Sequence, residues 1–152
     1  MKIKFIKTIL ILIFICFSSN INAETVFFDS KNLKIEEKGN MIYATKGVAK
    51  IPSKNLKIIG DKFIYDRLNS ELIIFDNVQY IDKDNKIIIK SQKMIYSELR
   101  NNVFSQSKTF LEFESKYDIK SSNILFDRNL NTISSKEVTE IDDKNNNKFL
   151  FN

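Results

Sequence analysis

Apolar and polar positions alternate along most of this chain, and the alternation repeats at a fixed spacing. Three copies of one pattern carry it: Ile58-Ile59-Gly60-Asp61-Lys62-Phe63-Ile64-Tyr65-Asp66, Ile89-Lys90-Ser91-Gln92-Lys93-Met94-Ile95-Tyr96-Ser97 and Ile119-Lys120-Ser121-Ser122-Asn123-Ile124-Leu125-Phe126-Asp127. The first two are offset by 31 residues and the second two by 30. A partial fourth copy lies upstream, where Leu33, Ile35, Ile42, Gly47 and Val48 precede Phe63, Tyr65, Leu72, Asn77 and Val78 by 30. Such a period marks units that bury their apolar faces only against their neighbours. Within each copy alternation by two holds on both sides of a small residue (Gly60, Ser91 or Ser121), but the phase slips by one across it. On a flat strand that slip would turn the buried set outward. A bulge or corner at the small residue absorbs it and bends the strand. Each copy therefore reads as a bent strand whose two halves face one interior.

Expected strand runs are Val26–Phe28, Leu33–Ile35, Met41–Ile51, Leu56–Tyr65, Leu72–Ile81, Ile87–Tyr96, Val103–Phe113, Tyr117–Phe126 and Thr132–Ile141. Pro52 closes the third run because it has no N–H to give to a ladder. Turn sequences such as Glu37-Lys38-Gly39-Asn40, Arg67-Leu68-Asn69-Ser70, Asp82-Lys83-Asp84-Asn85 and Asn129-Leu130-Asn131 separate the runs. The polar stretch from Asp142 to Asn147 reads as loose, and Phe149-Leu150-Phe151 as the start of a further strand. No run after residue 24 has helical apolar spacing. The expectation is all-β, with repeated bent antiparallel strands stacked into a folded-over, V-shaped sheet.

The first 23 residues stand apart. Lys2, Lys4 and Lys7 precede the unbroken apolar run from Ile9 to Phe17 and a short polar stretch ending at Ala23, the plan of a secretory signal peptide (residues 1–23) cut before Glu24. Residues 24–152 then form one domain, with the chain open to continuing past them. Ile21 is bulky for its place near the cut, so retention as an anchor is an alternative. Cys16, the only cysteine, leaves with the leader, and the mature chain has no disulfide or thiol chemistry. Of the full-length charge of +5, three units belong to leader lysines, leaving +2 with acids and bases interspersed. That describes a solvated surface, not the concentrated basic face that nucleic acid requires.

The residues of common catalytic sites are missing. There is no histidine, hence no neutral-pH base of the usual kind and no imidazole metal ligand. Three glycines do not make a phosphate loop. Asp82-Lys83-Asp84-Asn85-Lys86 opens like a calcium loop but carries Lys86 at its fifth position. Asp66 and Asp127 fit turn initiation better than catalysis, since Ser97 stands in the equivalent place. The chain reads as no enzyme, with no cofactor and no metal.

The unit Gly60-Asp61-Lys62-Phe63-Ile64-Tyr65-Asp66, followed by Leu72-Ile73-Ile74-Phe75-Asp76-Asn77-Val78, resembles the repeat of the OstA-like family (LptA and the N-terminal domain of LptD). Thr45-Lys46-Gly47-Val48 resembles its second half without the Asn, Asp76-Asn77-Val78 replaces the family's Gly, and later units keep less. The resemblance implies a periplasmic OstA-like β-jellyroll that carries lipopolysaccharide towards the outer membrane and joins end to end with other Lpt jellyrolls by strand-edge pairing. The stretch ending in Asn55-Leu56-Lys57-Ile58-Ile59-Gly60-Asp61 is most similar to the N-terminal domain of LptD, which would add an outer-membrane partner; a free-standing LptA-like bridge is the near alternative. In-phase residues Leu33, Ile35, Ile58, Phe63, Tyr65, Leu72, Ile74, Val78, Met94, Tyr96, Ile124 and Phe126 are the candidate lining of a lipid groove, though for any one of them ordinary core packing is the first expectation. Outside this reading stand a structural β-repeat, solenoid or adhesin-like, that binds no lipid, and a membrane-anchored LptC-like component that keeps its leader.

Overall fold

The computed structural model describes residues 26–145 and 147–151, and the expected leader lies outside them. Five long strands come first: β1 (Phe27–Glu36), β2 (Met41–Ile51), β3 (Leu56–Asp66), β4 (Glu71–Asp82) and β5 (Ile87–Ser97). Shorter ones follow: β6 (Asn102–Gln106), β7 (Lys108–Phe113), β8 (Tyr117–Ser122), β9 (Leu125–Asp127), β10 (Thr132–Ser134), β11 (Thr139–Asp143) and β12 (Lys148–Phe151). All twelve belong to one sheet whose ladders are antiparallel. Short 3-10 turns at Glu37–Gly39 and Pro52–Lys54 are the helical pieces among the described residues.

The phase slip read from the repeat is present in the burial. β3 buries Leu56, Ile58 and Gly60, then Phe63 and Tyr65; β5 buries Ile87, Ile89 and Ser91, then Met94 and Tyr96. The ladder shifts register at these points, between Ile59 and Lys62 on β3 and between Phe75 and Val78 on β4. Elsewhere left-handed residues absorb the corner instead: Lys46 on β2, Asp76 and Asn77 on β4, Ser107 between β6 and β7, and, within the third copy, Asn123 between β8 and β9. Asn and Asp enter that region most readily, and Asn77 is held there by a 2.7 Å hydrogen bond to Asp61 across the bulge.

Beyond β5 the sheet forks. The first half of β5 pairs with β7 and the second half with β6. A long arm continues through β7, β8, β11 and β12, and a short arm through β6, β9 and β10. The fork explains where the expected runs fail. Val103–Phe113, Tyr117–Phe126 and Thr132–Ile141 are each cut in two, because their halves pair with different neighbours. The opposite correction applies to Val26–Phe28 and Leu33–Ile35: from Phe27 onward both lie on the single strand β1 along the edge of β2. In the polar stretch from Asp142 the described residues are tied down: β11 runs to Asp143, whose carboxylate accepts hydrogen bonds from the Asn145 and Asn147 amides at 2.9 Å.

Two glycines are fixed by crowding. A Cβ on Gly60 would collide with the Ile74 side chain, and one on Gly47 would collide with the Asp29 carbonyl and Ser30 on β1. The second obstacle is backbone and moves less easily. Gly47→Ala is therefore expected to destabilise the protein by about 1–3 kcal/mol, the usual scale of overpacking. The loss should appear in denaturant titration, with faster hydrogen exchange at β1 amides than at those of β4 and β5; unchanged β1 protection would contradict this packing.

Candidate functional site

The bend brings the inward faces of the two arms together. Phe28, on the half of β1 that belongs to the long arm, lies edge-on to Phe63 across the fold with ring centres 5.9 Å apart, and 6.1 Å from Tyr65. Tyr80 and Tyr96 also meet across the fold, tilted, with ring centres 6.5 Å apart. Of the expected groove residues, Ile58, Phe63, Tyr65, Leu72, Ile74, Val78, Met94, Tyr96, Ile124 and Phe126 are buried in one continuous core. Leu33 and Ile35 are exposed, at 48% and 58%. The structure thus assembles ten of the twelve and leaves two at an edge. Over its middle the interior is filled, because opposed side chains reach across and touch. Fully burying each aliphatic or aromatic side chain is worth about 1.5–3 kcal/mol, far above what exposed ion pairs supply.

The interior is accessible at its ends. At the β1 end, Leu33 and Ile35 continue the inward phase beyond the last covering strand. At the other end, Ile119, Ile124, Ile133, Ile141 and Phe151 line an apolar cleft of about 320 Å³. Phe149, Leu150 and Phe151 are also exposed there. β1 pairs only with β2, and β10 and β12 only with β9 and β11, so each end carries unpaired strand edges. A larger cleft, about 960 Å³, lies at the bend among Lys90, Lys108, Lys120 and Phe110.

Hydroxyls close the inside of the bend where the strands diverge. Thr109 donates to Ser105 at 2.8 Å, Ser91 to the Gln106 carbonyl at 2.8 Å, and Thr139 to Ser121 at 3.0 Å. Ser91 and Ser121 are small residues of the repeat; Ser105 and Thr109 lack that signal because they lie between the second and third copies, on the run that the fork splits into β6 and β7.

The free ends of the arms are joined by an ion pair. Arg128, on the β9–β10 turn of the short arm, donates from Nε to Asp82 Oδ2 at 2.6 Å and from Nη2 to Oδ1 at 3.4 Å. Asp82 ends β4 on the long arm, and the two side chains are 7% and 0% exposed. Arg128 also donates to the Lys54 carbonyl and to Asn101 Oδ1, each at 3.2 Å. Lys54 Nζ donates to the same Asn101 oxygen at 2.7 Å and to the Tyr96 hydroxyl at 3.3 Å. Burial pushes the Asp82 carboxyl up, but hydrogen bonds from Arg128 and Asn85 and the Arg128 charge outweigh it and hold the group below the ordinary carboxylate value. Burial and the neighbouring Asp82 charge push the Tyr80 hydroxyl well above its ordinary value.

Sequence reasoning missed this cluster because Asp82 looks like another turn-starter. It does start a turn, accepting from the Asp84 and Asn85 amides at 3.1 Å, as Asp66 and Asp127 do in theirs. A usable signal existed in the phase: Asp82 follows Val78 and Tyr80 inward, and Arg128 follows Ile124 and Phe126, whereas Asp66 and Asp127 point out. The calcium-like stretch is thus an ion-pair site and a turn, and no group of three metal-ligating side chains occurs among the described residues.

Removing one partner of a buried pair strands the other. Arg128→Met is expected to cost about 3–5 kcal/mol, and the double change with Asp82→Asn to cost less than the sum of the two single changes. Because the folded Asp82 pKa is depressed, its contribution is complete above the unfolded value of about 3.9 and is lost as pH falls through the folded one. Denaturant stability should therefore drop below about pH 4 in the natural chain, and less steeply in Asp82→Asn; equal slopes would contradict the pairing.

No family model matches the chain, and no curated protein matches its sequence. Its fold does have a solved counterpart: it is similar to the crystal structure of LptH, the LptA homologous periplasmic component of the conserved lipopolysaccharide transport device from Pseudomonas aeruginosa. The TM-score is 0.64 at 11% identity, over 85% of this chain and 95% of that one. The fold is accordingly the all-β, folded-over jellyroll of that protein.

Proposed function

We propose that this chain is a periplasmic carrier module of lipopolysaccharide transport, holding the acyl chains of the lipid between its arms while the sugar head stays in water. The observation that carries the reading is the apolar inner face, packed as one core over its middle and reaching Leu33 and Ile35 at one open end and Ile141 and Phe151 at the other, with polar groups only at the bend and the arm tips. A jellyroll shared with a lipopolysaccharide-transport component supports it. At about 0.8 kcal/mol per buried methylene, acyl chains supply ample binding energy without any charged or catalytic group.

The unpaired edges of β1, β10 and β12 suit strand addition by further jellyrolls, leading the lipid towards the outer membrane. The module is either a free-standing bridge or the first domain of a longer LptD-like chain, and the interior does the same work in both. A second reading has its own support, since the filled middle is what a purely structural β-repeat would show.

Native mass spectrometry of protein purified from lipopolysaccharide-producing cells separates the two. Bound lipid A-containing species are expected, and their absence, together with no uptake of purified lipopolysaccharide, would favour the structural repeat. Substitutions to charge at Phe63 or Tyr96 cannot serve here, because both are core residues whose change would unfold the chain. The exposed edge pair is the cleaner probe of joining. Leu33→Asp with Ile35→Asp should leave far-ultraviolet circular dichroism unchanged and abolish concentration-dependent end-to-end association in sedimentation; association of undiminished strength would contradict a role for this edge.

A further inference from the structure

We propose that the Asp82–Arg128 pair, with Lys54 and Asn101, is a clasp that holds the two arms shut, and that the interior admits a long-chain amphiphile only when the clasp parts. The inference rests on the carrier reading and adds to it the step by which a filled interior takes cargo.

The placement of the four residues carries it. Lys54 and Asp82 sit on the β2–β3 and β4–β5 turns, at the tip of the long arm. Asn101 and Arg128 sit on the β5–β6 and β9–β10 turns, at the tip of the short arm. The bend lies between the two tips along each of the long strands β2 to β5, so these contacts span the opening opposite the bend. Their sequence separations, 46 for Arg128 to Asp82 and 47 for Lys54 to Asn101, exclude a local turn interaction. Behind them the Tyr80 and Tyr96 rings meet across the arms, tilted at 38°, and each hydroxyl is tied into the clasp, Tyr80 to Asp82 at 3.3 Å and Tyr96 to Lys54. Moving the clasp therefore moves the aromatic pair that fills the middle of the interior.

The chemistry of the seam also fits opening. A buried ion pair fixes geometry while adding less net stability than an apolar contact of the same size. When the tips separate, the charged groups regain water, which offsets much of the lost attraction. The apolar faces behind them lose burial on opening, and acyl chains can replace it. A clasp of leucines would oppose opening with nothing to offset the loss.

The chain allows a clean test, since its only cysteine, Cys16, lies in the leader. Lys54→Cys with Asn101→Cys, joined by a short cleavable bis-maleimide, would lock the tips together. Uptake of a fluorescent long-chain fatty acid is then followed by stopped flow in the locked, cleaved and natural proteins, and in Asp82→Asn. Locking should slow uptake at least about tenfold, with recovery on cleavage, and Asp82→Asn should bind the probe more tightly, because the open form is a larger fraction of the population. Equal uptake by locked and cleaved proteins would overturn the clasp and leave the carrier reading standing. No uptake of the fatty acid by any form, with no uptake of purified lipopolysaccharide either, would overturn both.

Discussion

A strand that is to bury the same face on both sides of a fold must give up one residue of phase at the fold. Everything else in this structure follows from meeting that requirement on neighbouring strands at once. β3 and β5 meet it at Gly60 and Ser91, where the side chain is small enough for the corner to close. β2 and β4 meet it with left-handed residues at Lys46 and at Asp76 and Asn77. Were the slip missing from one strand, half of its apolar residues would face water, a loss that surface contacts could not make good.

The same geometry creates the tension in the molecule. Folding an apolar sheet onto itself gives two greasy faces, and two greasy faces close on each other. Over the middle of the interior they have done so, through Phe28 on Phe63 and Tyr80 on Tyr96. A carrier of acyl chains must reverse that closure. The apolar ends, with Leu33 and Ile35 on one side and the cleft beside Phe151 on the other, are where the reversal has least to break. The ionic seam at the arm tips is where closure is held by groups that water can satisfy.

Much of this was legible in the sequence. The long strands β2 to β5 follow from alternation and turn residues, and the bend follows from the shared slip, because both depend on local pattern. The fork was not legible. Val103–Phe113 alternates like one strand, and nothing local says that its halves take different partners after Ser107. The interior was only partly legible. Alternation says which side chains point inward, but not whether opposed ones touch, so ten expected groove residues are packed core here. Asp82 and Arg128 were hidden for another reason. Each sits beside a turn, where charge is ordinary, and only their inward phase sets them apart from Asp66 and Asp127.

The central claim is that inward-facing side chains, and not the outer faces, receive the lipid. Isoleucine-methyl spectra of the protein titrated with purified lipopolysaccharide measure this directly, because isoleucines lie on both faces of the bent strands. The account predicts contacts with acyl protons at Ile58, Ile74, Ile89 and Ile124, which are buried between the arms, and none at Ile64, Ile73 and Ile95, which point outward from the same strands. Acyl contacts confined to the outward set, with the inward methyls unmoved, would contradict it.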